Sequence, residues 1–511
     1  MRNHHRTIRY TLLALLFAGM TAPTMLAQDD SSSGDQGAPP AATSPAGPNV
    51  ENPPLSGLDL PTSEPAFGGR SYLMPGIQVS QAVDSNLAGA STNNRTHVAG
   101  ITNALGSLDL QKIWRRSQLG LDYVAGGNVY TGPTFSNQGH AYQVHTFAAN
   151  ERILWRTGQL SLRYTFDYLP EGTFGFNSFG GAGSFGSTLG SGVSGAGAGT
   201  GLGGGLAGGT PAGLYGGNAG YGSLAFQPRI NNSSIVDVVQ EFSPRTSMTI
   251  GGGYSLADYL DKSAATFPIV NSTQTTGQIG FNHLLNPKDQ IGVLYAYQDF
   301  QFPRSGSGTV TAHVWNVLYG HRITGKLNFT VSGGPQLMSV YTPAQVIPLP
   351  PLGTVTVPSS EKTSITGNGS VTLAYTVTAR TSAQLLYQHY LTPGSGFYAG
   401  ANTDAARISI GHLFGRHWTT TTDVGYSRSS NLQTTTTSTS PGVHSRTYQF
   451  WYAGSSLHRN IGQQFGIFVN YQFSDLGLGQ CTATGSVCGQ TSTRHTGSIG
   501  IDWHPKPIRL D

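Results

Sequence analysis

Residues 160–168 read LSLRYTFDY, and large apolar side chains alternate in this stretch with polar ones. Successive side chains of a β-strand point to opposite faces, so a period of two predicts a strand with one apolar and one polar face. Residues 465–473 read FGIFVNYQF and show nearly the same alternation. Because the pattern recurs from about Ser71 to Trp503, the sequence predicts an all-β protein built from many such strands.

The chain begins with the features of a secretory signal peptide. Arg2, Arg6 and Arg9 precede a short apolar stretch, and small residues lead up to Ala27. We expect cleavage after Ala27, which makes residues 1–27 the signal peptide. The apolar stretch is shorter than the roughly 20 residues that a transmembrane helix needs.

The composition is unusual for a soluble domain. Charged residues make up 10% of the chain and aromatic residues another 10%, with 70 glycines, whereas soluble domains carry about 25% charged residues. Removing the signal peptide changes 28 basic and 24 acidic residues to 25 and 24, a net charge of +1. This balance predicts binding to neither nucleic acid nor an anionic surface.

An exported chain without a long apolar helix, but with this alternation, predicts a transmembrane antiparallel up-and-down β-barrel of the outer membrane. The alternating segments number about 18, and the breaks between them are of two kinds. Eight breaks are short and mostly basic, and nine are longer and rich in Gly, Ser and Thr, as expected for periplasmic turns and external loops. Sixteen strands remain possible, because the alternation is less regular around 77–111 and 402–429.

The pattern over residues 71–503 resembles the large porin-like outer-membrane β-barrels of Gram-negative bacteria. The resemblance implies an outer-membrane location after Sec export, contact with outer-membrane lipid and lipopolysaccharide, and insertion by the barrel-assembly machinery. Such barrels usually end on an aromatic residue. Here Trp503 ends the last strand and eight further residues follow.

The predicted organisation has three parts after the signal peptide. Residues 28–70, rich in Ser, Gly, Pro, Asp and Ala, are expected to be a disordered periplasmic lead. Residues 71–504 form the barrel, with a Gly-rich insertion at 171–230, and residues 505–511 form a C-terminal tail. The insertion has no charge between its first residue and Arg229, and it is expected to be a mobile external loop or an inward constriction of the pore.

Tryptophans and cations cluster beside the short breaks. A girdle of aromatic residues at a membrane interface is typical of such barrels. The residues assigned to this girdle are Trp114, Trp155, Trp418 and Trp503.

Two cysteines, Cys481 and Cys488, lie close together in a predicted loop. In an oxidising compartment this spacing predicts a local disulfide. Two thiols without a nearby histidine do not predict a metal site.

The polar face of the strands carries several charges. A lipid-facing Arg or Lys at mid-membrane costs on the order of 2–4 kcal/mol, so charges within the strands are expected to face the lumen. Such charges would either create a field that selects solutes or form ion pairs that brace the wall. The candidates are Asp122, Arg163, Asp167, Asp237, Arg407 and Asp423.

The sequence favours a channel over an enzyme. It contains no G-x-S-x-G, H-E-x-x-H or P-loop motif, and its 15 histidines are scattered. The leading hypothesis is passive diffusion of small hydrophilic solutes, without a cofactor. The alternatives are exopolysaccharide export or surface display and adhesion through the Gly-rich and Ser/Thr-rich loops, a soluble β-rich secreted protein, and an enzyme site at the barrel rim.

Overall fold

A computed structural model shows where these strands lie. It describes residues 55–56, 71–86, 98–132, 141–169, 229–260, 270–303, 308–349, 353–378, 380–392, 399–415, 417–432, 447–462, 464–479 and 491–510. The chain divides into two units, 1–44, none of whose residues is described, and 45–511, which contains the barrel. The predicted signal peptide therefore lies outside the described residues.

Eighteen long strands make up the barrel, and three short strands accompany them. The barrel strands are β1 (Tyr72–Asp84), β2 (Ala99–Ile113), β3 (Ser117–Thr131), β4 (Ala141–Trp155), β5 (Gly158–Leu169), β6 (Arg229–Ser243), β7 (Thr246–Tyr259), β8 (Ser272–Asn286), β9 (Asp289–Gln301), β10 (Thr309–Thr324), β11 (Leu327–Thr342), β14 (Ser360–Thr378), β15 (Thr381–Thr392), β16 (Ala401–Phe414), β17 (Trp418–Asn431), β18 (Thr447–Ile461), β19 (Phe465–Leu478) and β20 (Thr491–Trp503). The short strands are β12 (Gln345–Leu349), β13 (Gly353–Val357) and β21 (Ile508–Arg509).

Every barrel strand pairs antiparallel with its neighbours in the chain, and β1 pairs with β20 to close the barrel. This closed arrangement confirms the predicted fold class and gives 18 strands rather than 16. All eight short breaks lie at one end of the barrel and all nine long ones at the other. We call these the short-turn end and the long-loop end. Among the described residues, no helix is long and apolar enough to cross a membrane.

The two faces of the wall differ as the alternation predicts. On β1, Ile77, Val79 and Val83 are exposed on the outside, while Gln78 and Ser80 are buried on the inside. Outer-face side chains on the other strands are apolar as well. Examples are Ile279, Val293, Val317, Ile410, Val469 and Ile499, all exposed.

Two elements were not predicted from the sequence. The hairpin β12–β13 lies within the connection between β11 and β14, where a loop was expected. The C-terminal tail continues past Trp503 in the direction of β20, so that Ile508 and Arg509 of β21 pair with Leu73 and Tyr72 of β1. Because β20 pairs with β1 only from Ile77 onward, β21 extends the seam toward the short-turn end.

Candidate functional site: the barrel lumen

The six charged residues assigned to the lumen lie on the inner face of five strands. Their side chains share the buried parity of each strand, opposite to the exposed apolar residues. Asp122 lies on β3, Arg163 and Asp167 on β5, Asp237 on β6, Arg407 on β16 and Asp423 on β17.

Four of these charges form two ion pairs between adjacent strands. Arg163 pairs with the buried Asp237 on the next strand. Nε of Arg407 donates to Oδ1 of Asp423 over 3.0 Å, and the hydroxyl of Tyr452 donates to Oδ2 over 3.1 Å. The pairs run along the wall, so they compensate charge locally and tie neighbouring strands together. This geometry favours bracing over a selective field at these positions.

Asp122 has an acidic neighbour that the sequence reasoning missed. In the register of β2 and β3 it lies directly opposite Asp109, whose Oδ2 accepts a hydrogen bond of 2.9 Å from the hydroxyl of Tyr72. Among the described residues, no basic side chain pairs with either carboxyl. Asp109 and Asp122 therefore form an acidic patch on the inner wall of β2 and β3. Asp167 lies opposite Asn231 on β6.

A further ion pair lies at the long-loop end of the seam. Arg494 of β20 lies 2.6 Å from Oδ2 of the buried Asp84 on β1. Thr496 donates to the same oxygen over 2.9 Å, and the backbone N–H of Asn86 donates to Oδ1. The seam is thus held by a charged network in addition to its backbone ladder. The inward parity of Asp84, shared with Gln78 and Ser80, could have indicated this from the sequence.

Two histidines flank a carboxylate at the short-turn end of the same seam. Nε2 of His458 lies 3.1 Å from Oδ1 of Asp502, and Nε2 of His504 lies 3.0 Å from Oδ2. All three side chains are buried. Within the described part of the chain, no group of three or more His, Cys, Asp or Glu is placed to hold a metal ion.

The inner wall on the opposite side of the barrel is uncharged. On β7–β10, apart from Arg322 at the short-turn end, the described inward side chains are neutral and include amides, hydroxyls and aliphatic groups. We call this surface the uncharged sector. Leu294, Ala296, Val314 and Leu318 are buried there.

Part of the N-terminal lead lies against the uncharged sector. Leu55 joins one apolar cluster with Ile235 of β6 and the four aliphatic residues of β9 and β10 named above. Ser56 is fully buried against β7 and β8. The other residues of the predicted 28–70 lead lie outside the described ones, so its expected disorder stays a prediction.

The long-loop end of the lumen is partly covered. Ala399 of the β15–β16 connection joins an apolar cluster with Phe302 and Val310, although β11 and β14 separate β15 from β10. A Cβ added at Gly400 would lie 3.2 Å from Val310 Cγ2. With φ +88°, Gly400 has a backbone conformation that favours glycine. Ala399 and Gly400 therefore lean inward over the mouth.

Several histidines lie on the outer face beside tyrosines. The ring nitrogen Nδ1 lies within hydrogen-bond distance of a tyrosine hydroxyl in three pairs, at 2.8–3.0 Å. These pairs are Tyr123–His145, Tyr295–His313 and Tyr471–His495. Each histidine is four residues from the long-loop end of its strand. Such amphipathic pairs fit a membrane interface better than a rim enzyme site.

The four tryptophans assigned to the girdle lie at the short-turn end, where Trp155, Trp418 and Trp503 occupy strand termini. Trp114 follows β2 and is exposed. The guanidinium carbon of Arg459 lies 5.0 Å from the ring centroid of Trp418. Contact of the four tryptophans with the membrane stays a prediction. The predicted disulfide between Cys481 and Cys488 and nearly all of the 171–230 insertion lie outside the described residues.

No protein-family model matches the chain, and no curated protein matches it. Several solved structures are similar in fold. The ferric-catecholate import receptor Fiu of Escherichia coli K12, in its open form, superposes with a TM-score of 0.41 and 10% identity, covering 84% of this chain and 81% of that one. OccK5 of Pseudomonas aeruginosa superposes with a TM-score of 0.38 and 10% identity, covering 86% of this chain and 98% of that one. OccAB1 of Acinetobacter baumannii superposes with a TM-score of 0.37 and 11% identity, covering 86% of this chain and 97% of that one.

Proposed function

We propose that this protein is an outer-membrane channel for passive diffusion of small hydrophilic solutes. The observation that carries the proposal is the contrast between the two faces of one closed wall. The outer face presents exposed aliphatic and aromatic side chains, and the inner face presents amides, hydroxyls and paired charges. An apolar exterior suits lipid, and a polar interior suits water and solutes.

The position of the aromatic residues supports a membrane location. Trp155, Trp418 and Trp503 lie at the short-turn end, and the Tyr–His pairs lie toward the long-loop end. Interfacial aromatic residues normally flank the apolar band of a barrel on both sides. Outer-membrane lipid and lipopolysaccharide are the expected surroundings, reached after Sec export and insertion by the barrel-assembly machinery.

The charge distribution inside the barrel favours neutral or weakly charged solutes. The ion pairs Arg163–Asp237, Arg407–Asp423 and Asp84–Arg494 compensate their own charge, and the uncharged sector adds hydrogen-bonding groups without charge. Strong selection for one ion sign needs rings of like charge, and the described inner face offers only the acidic patch of Asp109 and Asp122.

The test is single-channel recording of the purified mature chain in planar lipid bilayers. We expect discrete conductance steps from folded protein, identified by its altered gel mobility before heating, and none from heat-unfolded protein. Liposome swelling with neutral sugars of increasing size then measures the size limit. Folded protein that inserts but gives neither conductance nor swelling contradicts the channel.

A further inference from the structure

We propose that the inner wall formed by β6–β10 is a binding site for the chain's own N-terminal lead. The occupants are Leu55 and Ser56. They bind at the short-turn half of the lumen, at a site here called the seat, and narrow the channel. The site itself is independent of the channel function. Its effect on conductance rests on that proposed function.

Ser56 makes a complete set of polar contacts with the wall. Its backbone N–H donates to Oδ1 of Asn282 over 2.9 Å, and its carbonyl accepts from Thr249 Oγ1 at 3.1 Å and Gln278 Nε2 at 3.2 Å. Its hydroxyl accepts from Nδ2 of Asn282 and lies 2.6 Å from Oγ1 of Thr249. Buried polar groups need such partners, so the wall replaces the water that Ser56 loses.

These hydrogen bonds are mutually consistent. Thr249 donates its only hydroxyl proton to the Ser56 carbonyl, which leaves its oxygen free to accept from the Ser56 hydroxyl. Asn282 uses its carbonyl oxygen for the Ser56 amide and its NH₂ for the Ser56 hydroxyl. The wall therefore recognises main-chain and side-chain atoms of one serine with side chains from two strands.

Leu55 supplies the apolar half of the seat. It is buried against Ile235, Leu294 and Leu318 and their neighbours Ala296 and Val314. Burying a leucine side chain from water is worth about 1.5–3 kcal/mol. An aliphatic group that points into a water-filled pore is unfavourable. Contact with Leu55 therefore removes apolar surface from water on both the leucine and the wall.

Two glycines of the wall make room for the lead. A Cβ added at Gly280 would overlap the side chain of Ser56, and one added at Gly320 would come within 2.9 Å of Leu55 Cδ2. Both positions face the lumen, and the Cβ at Gly280 would also come within 2.9 Å of Thr249 Oγ1. The wall is thus shaped for these two occupants as well as chemically matched to them.

The covalent connection allows this placement. The seat lies on β6–β10, and the chain re-enters the described structure at Ser71, beside β1 on the other side of the barrel. Fifteen residues reach about 50 Å when extended. An 18-stranded barrel with strands about 4.8 Å apart is roughly 30–35 Å wide.

Cysteine cross-linking tests the site without reference to conductance. In a background with Cys481→Ser and Cys488→Ser, we expect Ser56→Cys with Thr249→Cys to form a disulfide on mild oxidation, detected by mass spectrometry of linked peptides. The matched control is Ser56→Cys with Ser456→Cys, whose second position lies inside β18 on the opposite wall. Linkage to 249 alone supports the seat. No linkage in folded protein, or equal linkage to both walls, overturns it.

Single-channel recording tests the narrowing. Leu55→Asp places a charge in the apolar seat and should release the lead, raising conductance roughly two- to threefold because current follows the open cross-section. Gly280→Ala should act in the same direction, whereas the volume-conserving Leu55→Met should match the natural chain. Gly411→Ala is the control on the wall, because its added Cβ has only Ser382 Oγ nearby, at 3.4 Å. Conductance unchanged by Leu55→Asp overturns the narrowing. Silence of every variant contradicts the channel, while the cross-link still decides the seat.

Discussion

The two opposite inner walls of this barrel use the same alternation for different purposes. The uncharged sector on β7–β10 presents neutral groups and receives Leu55 and Ser56 from another part of the chain. The wall from β16 to β20 and β1, here the charged sector, buries ion pairs that satisfy one another. The polar groups of the inner face therefore either bind a segment in the lumen or form hydrogen bonds and ion pairs with one another within the wall.

The difference lies in which partner each polar group has. Asp423 finds its partners on the adjacent strands β16 and β18, so nothing from the lumen is needed to satisfy it. Asn282 and Thr249 direct their polar atoms to Ser56, which is distant in sequence. Removing a partner should thus damage the barrel itself in the charged sector but mainly loosen the lead in the uncharged sector.

The largest effect is expected from breaking a buried ion pair. Arg407→Met leaves the fully buried Asp423 with the Tyr452 hydroxyl but without its guanidinium. An unpaired buried charge costs about 3–5 kcal/mol, so the free energy of unfolding should fall by that amount. Urea-induced unfolding in lipid vesicles measures it.

The matched control removes both charges. Arg407→Met combined with Asp423→Asn keeps an acceptor for Tyr452, so most of the lost stability should return. Equal losses in the single and double variants would show that the pair does not brace the wall.

A smaller loss is expected from crowding the same cluster. A Cβ at Gly425 would overlap the ring of Tyr452, which would have to move away from Asp423. Overpacking of this kind costs about 1–3 kcal/mol. Gly425→Ala should therefore lower the urea midpoint, while Gly411→Ala on the neighbouring strand should not. The two variants differ only in what the added methyl meets, so similar midpoints would contradict the tight packing at Tyr452.

The uncharged sector should respond less. Thr249→Val removes the hydroxyl that contacts both the hydroxyl and the carbonyl of Ser56. A neutral hydrogen bond contributes about 1 kcal/mol, and Gln278 still donates to the carbonyl. The unfolding free energy should fall by about that amount and return in Thr249→Ser. A loss as large as that of Arg407→Met would erase the distinction between the two walls.

The sequence predicts much of this barrel because its strongest signal is local. Alternation identifies all 18 strands and the face of each side chain, since both depend on neighbours two residues apart. Which residues pair across two strands depends on the register between those strands, and alternation within one strand carries no information on that register. Arg163 and Asp237 could be placed on one face but not paired, and the opposition of Asp109 and Asp122 was missed for the same reason.

Leu55 and Ser56 were beyond sequence reasoning for another reason. The Pro-, Ser- and Gly-rich composition around them predicts disorder, and no periodicity marks a contact. Their site is built from strands that begin about 170 residues later, and its signals are the wall glycines Gly280 and Gly320. The tail strand β21 escaped prediction similarly, because two residues are too few to show a period.

The smallest predicted effect concerns the acidic patch, where Asp109 and Asp122 face each other and no basic side chain among the described residues pairs with either. Asp122→Asn removes one of two facing carboxyls, so the ratio of cation to anion permeability should fall, by roughly twofold or less. Reversal potentials in a salt gradient measure the ratio. Asp299→Asn is the control, since Asp299 lies on the outer face beside Gln301 and carries the same charge away from the lumen. If both variants shift the ratio equally, the protein's overall charge governs selectivity. If only Asp122→Asn shifts the ratio, selectivity arises at the acidic patch, and the paired charges of β5–β6 and of the charged sector stabilise the wall.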